Sequence, residues 1–116
     1  MSKSDLDIPE GLSALGRAAA QAILEKACND SEDGKAHTGG CPAFFTPSDW
    51  EDRGEDYGLG SELIVLHDGG CFAQYFNYDY MNYGAIDEMT DILQKLGLYG
   101  ENCTGWYSAI YKIRTE

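Results

Sequence analysis

Apolar positions along the chain recur first at helical spacing. Leu12, Leu15, Ala19 and Ile23 fall three or four residues apart, and the run from Arg17 to Ala27 consists of strong helix formers. Pro9 suits a first helical turn with Asp7 as its cap, and the helix is expected to end near Cys28-Asn29-Asp30. Its narrow face of small residues predicts close packing on something flat, a sheet. From 29 to 60 no period is sustained, because Gly34, Gly39, Gly40, Pro42, Pro47, Gly54, Gly58 and Gly60 interrupt every candidate element. This stretch reads as an irregular acidic loop region, pinned to the core at Phe44-Phe45 and Trp50. Thr46-Pro47-Ser48-Asp49 within it can open a short helical turn. A segment of that length without regular structure points to function or to disorder.

The pattern sharpens after 60. Glu62-Leu63-Ile64-Val65-Leu66-His67 reads as an apolar strand, Asp68-Gly69-Gly70 as a tight hairpin turn, and Cys71-Phe72-Ala73-Gln74-Tyr75-Phe76 as the returning partner. A helix follows after Asn82, with Ile86, Met89, Leu93 and Leu96 on one face and Asp87, Glu88 and Asp91 on the other. Gly97 stands where a C-terminal cap belongs. Gly105 to Ile113 alternates as an aromatic strand. The order is therefore α, loop, β, β, α, β: a single α+β domain over 1–116, with 1–10 as an N-terminal tail. The helices are expected to pack on a three-stranded, largely antiparallel sheet.

Charge changes this otherwise ordinary picture. The chain carries 20 Asp and Glu against 8 Lys and Arg, a net −12, although its 43% hydrophobic content is that of a globular domain. Self-repulsion of this size does nothing for the fold, so it serves solubility, a salty cytoplasm, or a basic partner. Direct nucleic-acid binding is excluded, because phosphates are neutralised by Lys and Arg. The acids form three groups: Asp30, Glu32 and Asp33; Asp49, Glu51, Asp52, Glu55 and Asp56; and Asp87, Glu88 and Asp91. Joined into one surface, they would mimic DNA. Duplex DNA carries one charge per roughly 1.7 Å, so this net charge corresponds to about six base pairs. Tyr57, Tyr78, Tyr80 and Tyr83 lie nearby as interface anchors, with core packing as the competing use of each.

Chemistry is thinly represented. His67-Asp68 places a base beside a carboxylate, but adjacent strand residues point to opposite faces and Asp-Gly-Gly is turn chemistry. A small enzyme using His67 with the loop thiol Cys41 is the weakest reading. Cys28, His37 and Cys41, with Cys71 or Cys103 as a fourth, could ligate zinc, yet no Cys-x-x-Cys pair is present. The expectation is no cofactor, no metal and no catalytic residue. The polar start Met1-Ser2-Lys3-Ser4 and the absence of a long apolar run predict a cytoplasmic protein with reduced thiols and no membrane contact.

Ser61-Glu62-Leu63-Ile64-Val65-Leu66-His67-Asp68-Gly69-Gly70, Tyr75-Phe76-Asn77 and Cys103-Thr104-Gly105-Trp106-Tyr107-Ser108-Ala109-Ile110-Tyr111 together resemble short acidic proteins carried by phages and plasmids. The resemblance covers about the C-terminal half. It implies a non-enzymatic inhibitor of the anti-restriction or anti-CRISPR type, acting in the cytoplasm of a bacterial host. Such a protein occupies the basic nucleic-acid-binding surface of a host defence complex. On this reading Asp49, Glu51, Asp52, Glu55, Asp56, Tyr57, Asp87, Glu88 and Asp91 are the partner-binding residues. The alternative is an acidic interaction module whose charge serves solubility alone.

Overall fold

The computed structural model describes residues 8–31, 34, 43–54, 60–67, 72–76, 83–103 and 107–113. The first helix, α1, runs Ala14–Asp30. It starts later than Pro9 because Gly11 takes a φ of 92°, outside helical space, and Ser13 then supplies the cap. The Ser13 hydroxyl accepts the Gly16 N–H at 3.0 Å and donates to Glu62 at 2.5 Å, tying the helix start to the sheet. Among the described residues of the stretch from 29 to 60, two short elements follow α1. Strand β1 is Phe44–Phe45, and helix α2 is Pro47–Asp52, opened by Thr46, whose hydroxyl accepts the Asp49 N–H at 3.0 Å. Thus the expected turn at Thr46 is present and the aromatic pins are strand and helix residues.

The sheet has four strands, not three. With β2 at Leu63–Leu66, β3 at Leu98–Asn102 and β4 at Tyr107–Lys112, the order is β1-β2-β4-β3, and every pair is antiparallel. The expected hairpin partner of β2 is not a strand: Ala73–Phe76 forms the short helix α3. Both edges of β2 are already occupied, by β1 (Phe45 opposite Ile64) and by β4 (Leu63 opposite Ile110). Phe72, Tyr75 and Phe76, spaced three and four apart, pack instead into the core as a helical face. Helix α4, Tyr83–Lys95, matches the expectation, burying Ile86, Met89 and Leu93, with Gly97 at φ 79° just beyond it. Strand β3, which no alternation announced, follows that glycine directly.

All four residues of β2 are buried because both sheet faces are covered. Leu63 and Val65 join the larger core under α1, α3 and α4, while Ile64 and Leu66 join a second cluster with Trp50 of α2, Tyr107 and Ala109. Helix α1 lies against the sheet at Gly16, where a Cβ would stand 2.3 Å from the Glu62 carbonyl oxygen. The small-residue face therefore does pack on a sheet. Among the described residues no helix is long and apolar enough to cross a membrane.

Candidate partner-binding surface

The acids separate by sheet face. Asp87, Glu88 and Asp91 are exposed on the outer side of α4, opposite its buried Ile86, Met89 and Leu93. Asp30, at the end of α1, meets them through Lys26, whose ammonium lies 3.2 Å from Asp30 and 2.5 Å from Glu88. The Glu88 hydrogen bond, and secondarily Asp30, holds the Lys26 pKa above its ordinary value. The Tyr75 hydroxyl donates to Asp30 at 2.5 Å and, with Lys26, holds that carboxyl below the usual range. Asp30 and Glu88 therefore share the single positive charge of Lys26, which offsets only part of their negative charge.

Asp49, Glu51 and Asp52 are exposed on α2, across the sheet from α4. Trp50 fixes α2 there: it is fully buried, 5.2 Å from the Phe45 ring and 4.9 Å, edge-on, from Tyr107. Among the described residues the α2 and α4 acids thus lie on opposite faces of the sheet. Trp50 docks onto Ile64 and Leu66, which face away from the Leu63 and Val65 side where α1 and α4 sit. Among the described residues both ion pairs belong to Lys26, so the α2 acids have no cationic partner there. Arg53, beside them, lies over the Trp50 ring at 4.6 Å and the Phe45 ring at 5.3 Å. Glu55, Asp56, Tyr57, Glu32, Asp33, Tyr78 and Tyr80 lie outside the described residues; Tyr83 is exposed at the start of α4.

The same sheet face carries a feature that sequence reading passed over. Tyr99 of β3 stands opposite Tyr111 of β4, the rings stacked at 5.5 Å and 23°. Tyr99 is 41% exposed, and Glu101 follows two residues along the same face. Burial, then the charges of Cys103 and Glu101, pushes the Tyr111 phenol pKa up. The missing signal was the strand itself: Leu98-Tyr99-Gly100-Glu101-Asn102 alternates only if Tyr99 and Glu101 share a face.

The chemical candidates resolve differently. His67 is buried, its Nε2 is 2.9 Å from the Ser108 hydroxyl, and its ring stacks on Phe76 at 5.6 Å. Asn102 completes a polar bridge, donating to the Phe76 carbonyl at 2.8 Å and to Ser108 at 3.3 Å. A serine and a histidine at this distance resemble a nucleophile and its base. However, Ser108 is fully buried, and the adjoining cavity of about 30 Å³ has room for little more than a water. The bridge instead joins β2, α3, β3 and β4 through groups that burial would otherwise leave desolvated. Cys28 is half-buried on α1, and Cys103 is half-buried just after β3, where burial raises its thiol pKa. His37, Cys41, Asp68 and Cys71 lie outside the described residues. No group of three metal-ligating side chains converges among the described residues. The chain matches no family model, no curated protein and no solved structure.

Proposed function

We propose that this protein is an acidic inhibitor from a mobile element. It binds the basic nucleic-acid-binding surface of a host defence complex, of the restriction or CRISPR kind, and excludes DNA by charge. The observation that carries this reading is the acidity of α2, which meets no ion-pair partner among the described residues. A domain of net −12 presents Asp49, Glu51 and Asp52 outward on a helix anchored by Trp50, while Asp30 and Glu88 share the single positive charge of Lys26. Charge of one sign on a rigid element accelerates encounter with an opposite field and fixes orientation. The α2 face is therefore the contact face, and the α4 acids maintain the long-range field.

The experiment has two arms. Expression in a bacterial host with active restriction or CRISPR defence is expected to raise phage plating efficiency. The defence complex that co-purifies is then challenged with duplex DNA and with salt. Competition with DNA and steep weakening with salt are expected. A complex insensitive to both overturns mimicry, and unchanged plating efficiency across defended hosts leaves the acidity to solubility.

A further inference from the structure

We infer that the stacked pair Tyr99–Tyr111, with Glu101 beside it, is a docking platform for an arginine side chain of the basic partner. Three observations converge on it. Tyr99 is one of two large apolar side chains that stand exposed among the described residues, and it is held, not loose, by its cross-strand partner. A phenol face presents negative quadrupole outward, and an arginine guanidinium is planar, weakly hydrated and stacks on such faces. Glu101 supplies a carboxylate on the same side, within a protein whose whole field attracts cations.

The fold contains its own precedent for this chemistry. On the same sheet face, Arg53 lies over Trp50 and Phe45 at the end of the acidic helix α2. That guanidinium shows what the aromatic surface of this face accepts when a cation of the right shape reaches it. The Tyr99–Tyr111 pair repeats the arrangement on that face at the opposite edge of the sheet, with the cation left for a partner to supply. Tyr111 packs against the Trp50 cluster, so the platform is continuous with the α2 face. The occupant is thus a basic protein surface, and charge complementarity selects it over an apolar one.

This inference rests on the proposed basic partner, and the test separates the two. Blocked hexa-arginine and hexa-lysine peptides carry equal charge but differ in stacking, so they serve as defined probes. Binding is followed by resonance shifts of the tyrosine rings and the Glu101 and α2 backbone amides. The platform predicts that hexa-arginine shifts Tyr99, Glu101 and Tyr111 and binds more tightly than hexa-lysine. Tyr99→Leu, which keeps bulk without a π face, is expected to weaken hexa-arginine binding about threefold to fivefold, and Tyr99→Phe to restore it. Glu101→Gln should weaken both peptides. Shifts confined to α2, with equal affinity for the two peptides and no effect of Tyr99→Leu, would overturn the platform while sparing the acidic reading. No binding of either peptide would overturn both. Concentration-dependent dimerisation that Tyr99→Leu abolishes would assign the patch to a second copy of the chain and overturn the arginine assignment.

Discussion

Neutralising the acids of α2 tests whether they meet a partner. The perturbation is Asp49→Asn, Glu51→Gln and Asp52→Asn together, which keeps size and hydrogen-bonding capacity. All three side chains are exposed, and neither described ion pair involves them, so the fold should lose little. Asp49 lies in the first turn, where its charge favours the helix by a few tenths of a kcal/mol. The Thr46 cap accepts a backbone N–H and survives the change. For binding, a carboxylate about 6 Å from a basic group in water gains about 0.7 kcal/mol. Screening with a Debye length of about 8 Å halves that at physiological salt. Three such charges then contribute about 1 kcal/mol, or about fivefold in affinity. Near 0.01 M salt, where the Debye length is about 30 Å and screening is slight, the loss should grow to about twentyfold. The assay is anisotropy of labelled hexa-arginine, and of the co-purified complex, across a salt series, with chemical denaturation as the stability control. The matched control is Asp87→Asn with Asp91→Asn on α4. Glu88 is left intact because it holds Lys26. As the two sets lie on opposite faces of the sheet, one docked partner cannot contact both closely. Equal losses from both sets, unchanged by salt, would refute contact through α2 and mark the acidity as generic.

Gly16→Ala should destabilise the domain by more than about 2 kcal/mol in denaturant unfolding, despite the better helix propensity of alanine, because the new Cβ would meet the Glu62 carbonyl oxygen of the backbone at 2.3 Å. Full stability of that variant would show that α1 does not lie against the start of β2. Tyr75→Phe tests the Asp30 carboxyl, whose folded pKa is lowered first by the Tyr75 hydroxyl and then by Lys26. A lowered folded pKa gives stability that is complete above the unfolded value of about 3.9 and is lost as pH falls through the folded one. The variant should therefore be less stable than the parent at pH 7, by no more than about 1 kcal/mol since Asp30 is partly exposed, and the gap should close below about pH 4. A gap equal at pH 7 and at pH 3 would remove the Tyr75–Asp30 bond from the account.

Local signals determined much of this protein. The helical spacing of Ile86, Met89 and Leu93 and the glycine at 97 predicted α4 and its end, and the small residues of α1 predicted contact with a sheet. The acidity is a property of composition. Pairing was not local. The run Leu63–Leu66 announces a buried strand, but period alone cannot say that Leu63 and Val65 face α1 while Ile64 and Leu66 face Trp50. Cys71 to Phe76 carries β propensity, yet α3 forms within it because β1 and β4 already fill both edges of β2. The same competition decided the surface. The described acids of α2 and α4 stand on opposite sides of the sheet, since Trp50 commits α2 to the side away from α4. The Tyr99–Tyr111 pair exists only through the β3–β4 register, which brings together two tyrosines that no short-range pattern connects.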